Sequence, residues 1–196
     1  TLDGRYVDRD REPPVGWAAA LTDNGTSSDK DYYMALTYET SMWEKLDLSG
    51  KIYRNVWENS SFGQLFPPGF TSRTPIGIAT WAEGLIARTT LNARRTGVEV
   101  QAKYKISDSN TIVAGATYEE QKQYDVTERR NYLPVPGTNL LIFLPSVQKW
   151  PDDLTAGTEK RNLKAIFLED IWDITDDIRL TTGVRYDDYS DFGGEL

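Results

Sequence analysis

From Arg161 to Gly194 the chain reads RNLKAIFLEDIWDITDDIRLTTGVRYDDYSDFGG, and its second half alternates strictly. Ile178, Leu180, Thr182, Val184 and Tyr186 fall on one side of an extended strand, and Arg179, Thr181, Gly183, Arg185 and Asp187 on the other. A period of two with one greasy and one wet face is the pattern of a pleated wall between lipid and water. With a tight turn at Thr175-Asp176-Asp177, the segment is expected to form a membrane β-hairpin over about 161–189.

The same pattern occurs twice more. A hairpin over about 30–57 joins Lys30–Thr40 to Lys45–Trp57 through Ser41, Met42, Trp43 and Glu44. Tyr32, Met34, Leu36 and Tyr38, then Leu46, Leu48, Gly50 and Ile52, form its apolar face. A second, over about 96–124, turns at Ser107-Asp108-Ser109-Asn110. Here Val98, Val100, Ala102, Tyr104 and Ile106 oppose Gly97, Glu99, Gln101, Lys103 and Lys105. The strand Leu163–Ile174 has no clean face. Ile166, Leu168, Trp172 and Ile174 share a side with Asp170, while Ala165, Phe167 and Ile171 share a side with Glu169 and Asp173, so its register stays open.

Residues 1–29, rich in Asp, Pro, Gly and Ser, are expected to be irregular loop, and long polar connections are expected over about 58–95 and 125–160. Short turns alternating with long loops are the asymmetry of a transmembrane β-barrel, with short periplasmic turns and long extracellular loops. Soluble all-β domains usually turn every ~8 to 12 residues. The fold class that follows is all-β: an antiparallel transmembrane β-barrel segment of about six strands in three hairpins. Six strands alone would leave two edges of unpaired N–H and C=O groups in hydrocarbon, so they require a larger closed barrel. With no signal peptide in view, the chain is expected to be part of a longer protein.

Composition matters for what it excludes. At 39% hydrophobic and 27% charged the chain is close to an ordinary soluble protein, so arrangement decides the class. There is no Cys and no His, which excludes a disulfide scaffold, a thiolate metal site and His-based catalysis. A net charge of −8 argues against nucleic acid, whose binders need a basic patch. Aromatic residues make up 12%, and Tyr32, Tyr38, Trp43, Tyr104, Tyr118, Trp172 and Tyr186 lie near strand ends, where membrane interfaces favour amphipathic rings. An ordinary β core would hold aromatics too.

The run AIFLEDIWDITDDIRLTTGVRYDDYSDFGG resembles the late barrel strands of TonB-dependent outer-membrane receptors. In that family a Phe-x-x-(Gln/Glu)-Asp-x-Trp strand is followed by Leu-x-Leu-x-x-Gly-x-Arg-Tyr-Asp. The resemblance implies a 22-stranded barrel with a plugged lumen in the outer membrane of a Gram-negative bacterium. The family's plug domain and TonB-contacting segment precede the barrel and have no counterpart in these residues. It implies a receptor that captures a scarce ligand, commonly a ferric siderophore, for TonB-energised import. No bond is made or broken, so no catalytic residue and no resident cofactor is expected; iron would arrive only within the ligand. The alternatives are a passive porin or channel and a soluble β-sheet binding module.

Two basic clusters are candidates for an anionic chelate: Arg94 and Arg95 with Arg88, and Arg129 and Arg130 beside Tyr132. Tyr132 and Trp150 could stack on a ligand ring. The competing role for these arginines is to neutralise lipopolysaccharide phosphate or to pair with nearby carboxylates. Arg54, on the apolar face about nine residues past its turn, is placed for a headgroup or lipopolysaccharide contact. Asp187, Asp188 and Asp191, and Asp173, Asp176 and Asp177, match no spaced calcium loop and read as solvated turn carboxylates, so no metal site is assigned.

Overall fold

Alternation along the chain becomes one antiparallel sheet. A computed structural model describes residues 1–12, 22–149, 159–191 and 193–195. Eleven strands are present among them: β1 (Leu2–Arg11), β2 (Gly25–Trp43), β3 (Leu46–Phe66), β4 (Phe70–Thr74), β5 (Gly77–Trp81), β6 (Leu85–Ser107), β7 (Asn110–Pro134), β8 (Leu141–Lys149), β9 (Glu159–Asp173), β10 (Arg179–Tyr189) and β11 (Gly193–Glu195). The sheet order is β1-β2-β3-β6-β7-β9-β10-β11. β8 folds back on the upper part of β7, beyond the part that pairs with β9, and β4–β5 form a separate hairpin. The three expected hairpins are β2–β3, β6–β7 and β9–β10, with tight turns on one edge of the sheet.

The expected loops are largely strand. Residues 1–29 contain β1, which pairs with β2 from Leu2↔Leu36 to Arg11↔Ser27. Its residues are too polar to show an apolar stripe, and it is fixed instead by the backbone ladder and by Arg5–Asp31 and Arg11–Asp29 ion pairs. Within 58–95, β3 continues to Phe66, β6 begins at Leu85, and the β4–β5 hairpin lies between. Within 125–160, β7 runs on to Pro134 and β8 returns. At 21, 23 and 25 residues, β3, β6 and β7 are about twice the ~9–11 that a hydrocarbon core requires. Their upper halves stand above the membrane, where both faces meet water and no apolar period is needed.

A single layer has no opposing sheet to bury its side chains, so any difference between its faces reflects curvature. On one face Ala35, Val113, Thr117, Glu119, Leu163 and Ala165 are buried by their own neighbours. On the other, Leu36, Ile52, Val100, Ile166, Leu168 and Val184 are exposed, Val100 at 53% and Ile166 at 61%. Side chains converge inside a curved wall and splay outside it, which makes the first face luminal and the second lipid-facing. This fixes β9: Ile166, Leu168, Asp170 and Trp172 pair with Tyr186, Val184, Thr182 and Leu180 and face lipid, while Glu169 and Asp173 face the lumen. Asp170 is tolerated near the periplasmic rim because Asn110 Nδ2 donates to it at 2.7 Å. At the adjoining turn, Arg179 Nη2 donates to Asp173 at 3.1 Å and holds that carboxyl below its ordinary range.

The apolar belt drifts along the hydrogen-bonded rows. Its last outward residues are the paired Tyr6 and Tyr32 on β1 and β2, and the paired Ile166 and Tyr186 on β9 and β10. The row of Tyr32 continues through Val56, Arg94, Lys122 and Lys160, so the boundary on β9 has dropped from Lys160 to Ile166. About six residues of drift over six strand spacings, at ~3.3 Å per residue and ~4.8 Å per strand, is a tilt of roughly 35°. That is within the ~35–45° of a closed barrel. The tight turns descend in the same direction, since Leu46, just past the first, pairs with Tyr104, three residues before the end of β6.

Two luminal glycines permit close cross-strand contact. Tyr53 lies across Gly97, where a Cβ would meet its ring at 2.5 Å, and Phe167 lies across Gly115. Gly97→Val is expected to destabilise the full-length barrel by about 1–3 kcal/mol through overpacking, seen as a lower urea midpoint for loss of heat-modifiable gel mobility. The faces make a second prediction. Ala102→Arg, at mid-belt facing lipid, should cost about 2–4 kcal/mol in the same assay, whereas Gln101→Arg, facing the lumen, should be close to neutral.

Candidate functional site

The luminal face is a ladder of polar side chains bonded across strands. Asn55 Nδ2 donates to Asp31 at 2.7 Å and Asn59 Nδ2 to Asp29 at 2.8 Å. Deeper in the wall, Glu119 is 1% exposed and collects donors from three directions. Tyr53 Oη donates at 2.6 Å, Arg95 donates through Nε and Nη2 at 3.2 and 2.9 Å, and Gln121 Nε2 completes the set. Arg161 Nε in turn donates to Gln121 Oε1 at 2.6 Å. The network spans β3, β6, β7 and β9 and satisfies a carboxylate that curvature has shielded from water.

Above it, β7 changes phase. Asp125 adopts a left-handed backbone with φ of 51°, and the β6–β7 register slips there, from Asn92↔Tyr124 to Thr90↔Thr127. One extra residue on β7 inverts the alternation beyond it. Arg129 therefore points outward opposite Arg88, and Arg130 and Glu128 share the luminal face. Without the bulge these assignments would be reversed.

At the extracellular end the β4–β5 hairpin folds onto β6–β7–β8. Trp81, Leu85 and Tyr132 form a buried core with Leu65, Phe66, Phe70, Ala79 and Leu141 packed around them. The Trp81 and Phe143 rings meet edge to face at 5.4 Å. Asn131 ties the pieces together: its backbone carbonyl accepts from Trp81 Nε1 at 2.9 Å, its Oδ1 from the Ile86 amide at 2.9 Å, and its Nδ2 donates to the Gly84 carbonyl at 2.8 Å. Gln64 Nε2 adds a bond to the Glu83 carbonyl at 2.6 Å. Gly84, at φ 78°, is required because a Cβ there would collide with the backbone of Phe66 and Pro67. The cap is a packed structure carried on strand extensions.

The candidate residues separate. Arg94 and Arg95, neighbours on one strand, face opposite ways: Arg95 binds Glu119 on the luminal side, and Arg94 faces outward near Glu120 at 3.5 Å. Arg88 and Arg129 also face outward, Arg88 over the Phe62 ring at 5.3 Å. Arg130 ion-pairs with Glu128 and lies 5.4 Å from the centre of the Tyr132 ring. Tyr132 is buried in the cap core, where burial pushes its phenol up from the ordinary value. Trp150 lies outside the described residues. The two basic clusters thus do not converge as wholes: Arg88 and Arg129 together line one outward groove of about 930 Å³, and Arg94, Arg95 and Arg130 do not line it. Of the candidate residues, the inner face receives Arg95 and Arg130, and the outer face Arg88, Arg94 and Arg129. Sequence reasoning missed Glu119, Tyr53 and Asn131; the strict alternation around Glu119 carried a usable signal for its luminal face, and Asn131 had none.

Two outcomes are expected. Arg95→Gln should destabilise the full-length barrel by about 1–3 kcal/mol by leaving Glu119 without its cation, and Glu119→Gln in the same chain should recover most of the loss in the urea midpoint. Asn131→Leu should leave the Ile86 N–H and Gly84 C=O unpaired, at about 1–3 kcal/mol each. Limited proteolysis of intact cells should then cut the cap at least several-fold faster while the barrel persists.

A family description, TonB dependent receptor-like, beta-barrel, matches residues 1–196, the whole chain. No match was found among curated proteins or among solved structures. An all-antiparallel wall with an outward apolar belt, a polar concave face and a tilt suited to closure agrees with that match. This chain belongs to the TonB-dependent receptor family, as part of the β-barrel of an outer-membrane receptor for transport.

Proposed function

We propose that the receptor captures a ferric siderophore, or a comparably anionic metal chelate, at its extracellular mouth for TonB-energised import. Family membership supports the transport class, and the face-by-face distribution of cations supports the ligand chemistry. The observation that carries the proposal is the inversion at Asp125, which turns Arg130 to the luminal side beside Tyr132 at the level of the cap. Below it on the same side lie Arg95 and Arg161. An anionic chelate entering from outside meets a guanidinium first at the cap and then along the wall, where charge-assisted hydrogen bonds are strongest. The packed cap suits capture because its groups are ordered before the ligand arrives. Partners in this proposal are the chelate, the outer-membrane lipid and, through segments preceding the barrel in the family, TonB.

The test uses the full-length receptor. Synthesis should rise under iron limitation, and binding of a panel of ferric chelates should show at least one member held tightly. Arg130→Ala should weaken that member about 10-fold with normal barrel assembly, as expected for loss of one charge-assisted contact. Indifference to iron together with uptake of a neutral solute would overturn the chelate while leaving the receptor class in place.

A further inference from the structure

Three arginines on β1 take no part in the cap or in the Glu119 network. Arg5, Arg9 and Arg11 stand on the luminal side of the strand, because Asp3 pairs with luminal Ala35 and the odd-numbered residues follow it. Along an extended strand Arg9 lies about 7 Å from Arg11 and about 13 Å from Arg5. Two of the three are braced. Arg5 Nη2 lies 3.4 Å from Asp31 Oδ2, with its guanidinium 5.9 Å from the centre of the Tyr33 ring, and Arg11 Nη2 lies 3.6 Å from Asp29 Oδ2. The other oxygen of each carboxylate accepts from an amide, Asp31 from Asn55 at 2.7 Å and Asp29 from Asn59 at 2.8 Å. Asp29 is the register partner of Arg9, yet both its oxygens are taken by Arg11 and Asn59. Arg9 is exposed and has no ion-pair partner among the described residues.

These groups enclose a groove of about 480 Å³ on the inner wall, within the ~300–1,000 Å³ of small-molecule sites. Val7 and the Trp57 ring supply its apolar surface. Trp57 shares a row with Asp31 and Val7, and Arg9 stands in the next luminal row toward the extracellular side. Three guanidiniums against two carboxylates leave one positive charge in excess, in a chain of net charge −8. A free cation beside a flat ring favours a ligand group that is itself both planar and anionic.

We propose that this groove is a second ligand subsite, which receives an aromatic ring carrying an anionic oxygen, as an aryl carboxylate or phenolate arm of a chelate does. The ring lies against Trp57 and Val7, and its oxygen accepts from Arg9, with Arg5 and Arg11 held in place on either side. The inference rests on the chelate reading above for the kind of molecule that brings such a ring, and it assigns that molecule to an aryl class. Arg130 on β7 is four strand spacings away, about 19 Å along the wall. Recognition of the arm by itself needs no metal.

The test therefore uses iron-free fluorosalicylate, followed by fluorine NMR on the full-length receptor in mild detergent. One saturable site is expected. Salicylate should compete for it about 3-fold or more better than cyclohexanecarboxylate, which has the charge without the flat ring, and better than benzamide, which has the ring without the charge. Arg9→Gln, with no ion pair to lose, should weaken the probe about 10-fold, and Trp57→Leu about 3-fold or more, with heat-modifiable mobility retained. Arg129→Gln on the outward face should leave binding unchanged. A ferric chelate with catechol rings should displace the probe, and ferric citrate, which has no ring, should not. Absence of saturable binding, equal competition by the three small molecules, an unchanged affinity in the Arg9 variant, or no displacement by the catechol chelate would overturn the subsite. Because the probe carries no metal, that failure leaves the chelate reading to its iron-dependent test, whereas indifference to iron with Arg9-dependent probe binding would overturn that reading alone.

Discussion

The backbone hydrogen bond in hydrocarbon is the constraint from which the rest of this structure follows. A peptide group that meets lipid must find its partner within the protein, and a strand does so only through its neighbours on both sides. β3, β6, β7 and β9 meet that demand on both sides along the belt, while β1 and β10 have one neighbour each at that depth. Pairing then forces alternate side chains to opposite faces. The outward set must be apolar at belt depth, and the inward set is free to be polar. The tilt that lets such a sheet close makes the belt descend from strand to strand, which explains why Tyr32 and Lys160 can share a row yet meet different surroundings.

Above the membrane the same ladders persist under different control. There the wall is held by side-chain bonds across strands and by a small core around Trp81, Leu85 and Tyr132. One residue, Asp125, connects the two regimes. By adding a bulge it decides which of Arg129 and Arg130 faces the lumen, and so sets the charge that a ligand at the mouth would meet. Glycines at 97 and 115 let aromatic rings lie across the inner wall, filling space that a Cβ would deny them.

What could be read in the amino-acid order was set by where lipid demands a pattern. The alternations Tyr32–Tyr38, Val98–Ile106 and Ile178–Tyr186 place three hairpins because one face of each meets hydrocarbon. Glu58–Phe66 and Asp125–Pro134 are also strands, but above the membrane no lipid imposes a period on them, and in Leu2–Arg11 the outward apolar residues Leu2 and Tyr6 are too few to show one. β9 was ambiguous because Asp170 and Glu169 put a carboxylate on each face, and only pairing with β7 and β10 assigns them. Arg94-Arg95 and Arg129-Arg130 looked like clusters in a loop; in strands, adjacent residues part company. The contacts of Asn131 join residues 45 to 50 positions apart and leave no local trace.

The central claim is that neighbouring residues of one strand stand in lipid and in water by turns. Because the chain contains no Cys, single cysteines placed from Gly97 to Tyr104 in the full-length receptor can each carry one spin label. Collision rates with oxygen and with a water-soluble nickel chelate then report the two environments. Positions 98, 100, 102 and 104 should favour oxygen and positions 97, 99, 101 and 103 the nickel chelate. A profile with no two-residue period, or with both faces equally open to the nickel chelate, would contradict it.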